Sequence, residues 1–516
     1  MKRRLFAILV LALMLLTLPG VSPALAEGKT KISVALWEMN PAFTDGSDPI
    51  YNYISDKLGI EIEPVVITWD DYKDKITMWS AGDQLPDLFA VDQIGSSTFH
   101  AWVKDGIVKE IPDLTSYPNI KAIFDMNPDI AATAVDGKYY MLPRLNAIDG
   151  DEYTWGLSRL IMYRKDWAEA AGAAVPNTPA EFAAFVKKIQ DSKPEGKNPA
   201  GLVTYNVGFL NTCLSLCFAP GVDPSTYVKN EAGQYEPLFF QPRILDSLNY
   251  MRKLYQDGII DPDYAIAKTT ESMDKFATGN AVAVAFQMII PADFSMYFSD
   301  RFESVYPGRK ATDAIAVLPP LKNDQDGNRY IFTTSSFWSE SYINGYCDDA
   351  KTAKIMEFMD FMASDEFKSL ARYGIEGVDY TKNGDEITIT RETDANGTPI
   401  DLASKYPFLN GFKFLTAWDI GVTPVAQDTS ISDDVRSFML SARDAVSSGT
   451  TLPELRYDLP YISTPLKDQL VLEIGDDITR IVTGTDPVEA MYQETVQKYK
   501  DKGYDAMIAE FNAALD

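Results

Sequence analysis

One histidine, His100, and three cysteines, Cys213, Cys217 and Cys347, occur in 516 residues. A single imidazole cannot furnish a multi-histidine zinc site, and a serine–histidine triad would have to be built on His100 alone. Its place in the helix-like stretch Ser96 to Val103 reads as a packed or surface position. Cys213 and Cys217, four apart in an apolar segment, read as one buried helix face rather than a redox pair. Carboxylates are abundant, with 74 Asp plus Glu against 47 Lys plus Arg and a net charge of −27. Such a set could contain an acid–base pair for glycoside cleavage, but no spacing singles one out. The same acidity argues against a nucleic-acid partner, which requires clustered positive charge.

The elements that would position these groups are legible from pattern. The hydrophobic fraction is 46%, which implies a folded chain, and the length exceeds what one core serves, so two or more packed units are expected. Residues 1–26 form an export signal: Lys2, Arg3 and Arg4, an apolar run from Leu5 to Leu18, then Ala24-Leu25-Ala26 as a cleavage motif. The apolar run is too short to span a bilayer. No cysteine precedes Cys213, so the sequence predicts an exported protein without a lipoprotein cysteine, periplasmic or at the cell surface.

Beyond the signal, Lys31 to Trp37 and Ile60 to Ile67 read as strands, Ile50 to Leu58 as an amphipathic helix between them, and a second helix runs to Trp79 before the apolar run Leu88 to Val91. This alternation predicts an α/β unit with a largely parallel sheet. Asp136-Gly137 marks a hairpin turn. A second α/β stretch starts near Ile148, with Leu160 to Tyr163 extended and a capping box, Thr178 and Glu181, opening a helix through Ile189. Ala281 to Phe286 and Ile315 to Leu318 read as strands, and Asp326-Gly327 as a hairpin turn leading to Tyr330 to Thr333. Helices are expected over Lys351 to Met362 and from Pro487 onward, broken at Gly503. No Pro- or Ser-rich joint divides the chain.

Six segments in this order resemble the family 1 extracellular solute-binding proteins of bacterial ABC importers, in their oligosaccharide-binding branch. They are Met78 to Leu88 (MWSAGDQLPDL), Asp136 to Arg144 (DGKYYMLPR), Met162 to Trp167 (MYRKDW), Pro176 to Phe182 (PNTPAEF), Phe276 to Ala283 (FATGNAVA) and Arg372 to Tyr380 (RYGIEGVDY). The resemblance implies a two-lobed periplasmic-binding-protein fold, type II-like, with several chain crossings and a ligand cleft that closes by hinge motion. It implies a first lobe of residues 27–145 plus 288–336 and a second of 146–287 plus 337–516. It also implies an oligosaccharide ligand, transmembrane permease subunits as partners, a monomer, no cofactor and no enzymatic activity. Some alginate-binding relatives carry a calcium loop after the capping-box helix. Here Asp191 to Gly201 (DSKPEGKNPAG) has only Glu195 as a second acidic residue, too few hard ligands. The Asp324 to Asn328 loop also fails the EF-hand pattern, since Lys322 and Thr333 fall at its first and last ligand positions.

A sugar offers C–H faces to aromatic rings and a rim of hydroxyls to polar side chains, and ligands gather past the carboxyl ends of strands. The residues expected at the cleft are therefore Trp37, Glu38, Asn40, Asp92, Gln93, Arg144, Asn146, Trp155, Gln287, Ser335, Trp338, Glu376, Trp418 and Asp419. Trp69, Trp79, Trp102 and Trp167 fall on helix-like or cap positions and are expected to pack, and Asp87 to stabilise its own loop. A peptide, polyamine or metal chelate is the alternative cargo, and a secreted glycosidase or lyase the alternative activity.

Overall fold

The computed structural model describes residues 28–148, 159–204, 206–218, 221–287, 294–333, 335–384, 386–393, 400–423, 425 and 431–515. Its two main sheets are built from nine strands: β1 (Thr30–Trp37), β2 (Ile60–Ile67), β3 (Leu88–Val91), β4 (Leu142–Leu145), β5 (Leu160–Arg164), β6 (Ala200–Thr204), β7 (Ala281–Phe286), β8 (Ile315–Leu318) and β9 (Phe337–Ile343). The first sheet has the order β2-β1-β3-β9-β4 and the second β8-β5-β7-β6.

Local signals account for the elements. The helix Pro49–Leu58 starts at Asp48, whose carboxylate accepts from the backbone N–H of Ile50 and Tyr51, and stops at Gly59 in the left-handed conformation, the expected asymmetry of helix ends. At Pro179–Asp191 the Thr178 hydroxyl accepts from Glu181 N, while Glu181 reaches back to Asn177 N at 2.7 Å rather than to Thr178. The Asp136-Gly137 turn has both residues at positive φ, 51° and 76°, as a two-residue hairpin requires. Cys213 and Cys217 are buried free thiols.

Pairing departs from expectation in three places. The first sheet is mixed: β1 runs parallel to β2 and β3, but β9 is antiparallel to β3 and β4. The Asp326-Gly327 turn does not fold Tyr330 to Thr333 onto β8. That strand pairs with β5, and Tyr330 bridges Thr451 instead. The expected division into lobes is also exchanged around residue 336. One core gathers residues from Ile32 to Leu145 and again from Phe337 to Ile420, whereas Phe294, Phe298, Phe302 and β8 pack with the second sheet. The return to the first unit is therefore 337–420, not 288–336. The reason is physical: a short buried apolar strand carries no mark of which sheet it joins, because its partners are fixed by long-range pairing.

The chain segments linking the units leave the first unit side by side. Leu145 N donates to Thr416 O at 2.8 Å, Trp418 N to Leu145 O at 2.9 Å and Asn146 N to Ser336 O at 2.9 Å. The Asp419 carboxylate accepts from Ile148 N at 2.9 and 3.1 Å. No helix among the described residues is long and apolar enough to cross a membrane.

Candidate functional site

Where these crossings meet the carboxyl ends of β1 and β2, four tryptophans converge. Trp37 ends β1 and is buried, and Trp69 lies on it with ring centroids 4.7 Å apart and planes inclined by 6°. Trp338 is 6.3 Å from Trp69 and 5.5 Å from Trp418, and Trp418 is 6.3 Å from Trp37. Tyr72 meets Trp37 edge-on at 5.1 Å. The indole of Trp418 donates to Trp338 O at 3.3 Å. Trp69 and Trp338 remain 42% and 43% exposed, so the wall presents two indoles to solvent.

Polar groups stand behind this wall. Arg144 is fully buried, with its guanidinium 4.7 Å from the Trp37 ring and 5.1 Å from that of Trp418. Its Nη1 donates to Ser339 Oγ at 2.7 Å and its Nε to Leu415 O at 3.3 Å, and Nη2 has no partner among the described residues. Burial lowers its pKa to about 9, against the opposing pull of the Glu340 charge, so the group stays a cation at neutral pH. Glu340 is fully buried too. Its Oε1 accepts from Gln93 N at 2.6 Å, Ile94 N at 2.7 Å and the Tyr342 hydroxyl at 2.6 Å. Desolvation raises its pKa to about 7 even though all three hydrogen bonds favour the anion. Asp92 accepts from the Tyr72 hydroxyl at 2.8 Å and from Lys73 at 2.9 Å.

A cavity of about 980 Å³ lies between the units, lined by Asp70 from the first and by Asn206, Lys268, Glu271, Asp274 and Lys275, among others, from the second. Asp70 follows Trp69 in the chain, although none of the four tryptophans is among the residues lining this cavity.

Of the residues expected at a cleft, Trp37, Arg144, Trp338 and Trp418 come together, although Arg144 sits behind the rings instead of facing outward. Asp92 and Gln93 lie beneath, engaged with Tyr72, Lys73, Ser96 and Glu340. Ser335 accepts from the Tyr461 hydroxyl at 2.7 Å, and Asn146 donates to Ser335 O at 2.8 Å. Asn40 is a helix cap, accepting from Ala42 N, and Glu38 is exposed at φ 59°. Gln287 directly follows β7 in the second unit, half-buried. Glu376 is exposed in a turn bridged to Tyr380. Trp155 lies outside the described residues. Asp87 is structural, holding Ser33 and Lys351. Trp102 and Trp167 are core residues, but Trp69 joins the wall against expectation. Its position just past β2 was the available signal, and the cap-like setting before the next helix masked it. Glu340 gave no sign in sequence, since only tertiary pairing buries it.

The family model of bacterial extracellular solute-binding proteins matches residues 41–368. The chain belongs to that family. Among its relatives is the polygalacturonan/rhamnogalacturonan-binding protein YtcQ of Bacillus subtilis (strain 168), 23% identical over an alignment covering 99% of this chain and 98% of that protein. Another is lipoprotein LipO of the same organism, 22% identical over 70% of this chain and 69% of the relative. Among solved structures, the alginate-binding protein AlgQ2 without calcium ion superposes with a TM-score of 0.68 at 14% identity, covering 95% of this chain and 98% of that one. The S. pneumoniae ABC-transporter substrate-binding protein FusA in complex with kestose gives 0.62 at 16% identity, covering 94% and 98%. These likenesses show the two-lobed fold of the family.

Proposed function

We propose that this protein is the exported capture component of an ABC importer, which closes its two units around an oligosaccharide and passes it unchanged to the permease. The observation that carries this reading is the four-tryptophan wall with its two half-exposed indoles, together with a cavity between the units whose lining includes Asp70, the residue after Trp69. Indole faces attract the C–H faces of pyranose rings, and the carboxylates, amides and ammonium groups lining the cavity suit a hydroxyl rim. A linear chain of rings could lie across indoles spaced 6.3 Å and 5.5 Å apart. The relative that binds polygalacturonan and rhamnogalacturonan aligns end to end with this chain, which makes galacturonate oligomers the first candidates. Monomeric action without a cofactor follows from the same reading, because each copy holds both halves of the clamp.

The test is tryptophan fluorescence and calorimetry with trigalacturonate, neutral oligosaccharides of the same length and tripeptides. Saturable binding of an oligosaccharide, with no new reducing ends on prolonged incubation, supports the proposal. Binding of peptides alone overturns the sugar assignment, and release of reducing ends overturns capture without turnover.

A further inference from the structure

The register of β9 against β4 contains an irregularity centred on the site. Phe337 faces Leu145 and Glu340 faces Pro143, so Trp338 and Ser339 together oppose the single residue Arg144. Two residues against one is a β-bulge, a device that re-aims side chains beside functional sites. Along β9 only Trp338 is exposed, and every other residue is buried. In an unbulged strand Trp338 and Glu340 would share a face, so the bulge lets one reach the indole wall while the other is buried.

The bulge is strained. Ser339 has φ 66°, and Glu38, directly after the other central tryptophan, has φ 59°. Neither is glycine, and such conformations persist only where the surroundings over-determine them. Around Glu38 the constraint is backbone contact: a Cβ on Gly411 would lie 2.5 Å from Trp37 O and 3.2 Å from Met39 N. Around Ser339 the visible constraint is Arg144, whose Nη1 holds the Ser339 hydroxyl while its guanidinium lies against the faces of Trp37 and Trp418. No carboxylate makes a hydrogen bond to this buried cation among the described residues. Fold stability alone does not favour such an arrangement, since an apolar side chain would fill the space without desolvating a charge.

We propose that Arg144 is a positioning residue for the tryptophan wall, aiming Trp338 through Ser339 and spacing Trp37 from Trp418 through its ring contacts. The inference rests on the wall being the binding surface, and it assigns the ordering of that surface to one cation outside ligand reach. Planarity matters here: a guanidinium can lie along two ring faces while donating in its own plane, and an ammonium cannot do both.

The experiment compares wild type with Arg144→Met, Arg144→Lys and Ser339→Ala in the full chain. Near-ultraviolet circular dichroism of the ligand-free proteins reads the packing of the indoles directly. Loss of much of the tryptophan signal is expected in Arg144→Met and Ser339→Ala, with partial recovery in Arg144→Lys, in proteins that still melt cooperatively. Calorimetry with trigalacturonate should show affinity weakened about tenfold or more in the first two. If Arg144→Met does not fold, Ser339→Ala, which deletes one acceptor, decides alone. An unchanged tryptophan spectrum in folded Ser339→Ala or Arg144→Met overturns the inference whatever the affinity. Failure of trigalacturonate to bind wild type counts against the galacturonate reading and leaves the spectroscopic result to judge the role of Arg144.

Discussion

Replacing Glu340 by Gln should change the pH dependence of stability more than stability itself. The carboxylate is fully buried, and desolvation lifts its pKa from 4.5 to about 7. A carboxyl whose folded pKa is raised binds its proton more tightly in the folded state than in the unfolded chain. Its contribution is therefore most favourable below pH 4.5 and is lost as the pH climbs to about 7. At about 1.4 kcal/mol per pH unit, that window amounts to about 3 kcal/mol. Glutamine keeps an acceptor for Gln93 N, Ile94 N and the Tyr342 hydroxyl but does not titrate. Urea unfolding of the two proteins at pH 5 and pH 8 measures the effect. The substitution should be less destabilising, or even stabilising, at pH 8, with a difference of about 2.5 kcal/mol between the two pH values, since the rest of the window lies below pH 5. A wild-type-to-variant difference that is equal at both would refute the argument, because it would mean Glu340 titrates alike in the folded and unfolded chains.

Trp338→Ala removes a half-exposed ring, so it should weaken oligosaccharide binding by about tenfold or more while leaving the melting temperature near that of wild type; calorimetry and thermal melts check both. Gly95 has φ 75°, and a Cβ there would lie 2.9 Å from Pro460 O, so Gly95→Ala should cost about 1–3 kcal/mol in urea unfolding. Asp379 is fully buried and accepts from Lys405 at 2.7 Å, Ile375 N at 2.8 Å and the Tyr406 hydroxyl at 2.6 Å; Asp379→Ala should lower stability by about 2 kcal/mol or more at pH 7. The loop after the capping-box helix is tied by Glu195, which accepts from Trp167 Nε1 at 3.1 Å and the Tyr306 hydroxyl at 2.8 Å. Glu195→Gln should therefore lower the melting temperature, whereas adding calcium after chelation should leave the wild-type value unchanged.

Much of the indole wall was legible because its parts obey local rules. Trp37 stands at the end of a strand that its apolar run announces, and Arg144 closes a segment that carries the family resemblance, whereas Trp338 is expected after the run Tyr330 to Thr333, which joins neither main sheet, and lies instead near the start of β9. Asn40 caps a short helix and Glu376 sits in a turn bridged to Tyr380, because a polar loop residue serves a cap or turn as readily as a ligand. Trp69 shows the converse: its neighbours Asp70 and Asp71 look like a helix start, which they are, and the ring still faces the wall.

The sequence by itself determined the two α/β units, most element boundaries, the hairpin at Asp136-Gly137 and the family, since each rests on periodicity, caps or residues adjacent in the chain. Tertiary structure alone decided that β8 joins the second sheet and β9 the first, that β9 bulges opposite Arg144, and that Glu340 is buried while Trp338 is not. Those outcomes depend on hydrogen-bond partners some 200 residues apart, and the residue types of a short apolar strand specify its buried faces, not which distant strand will cover them.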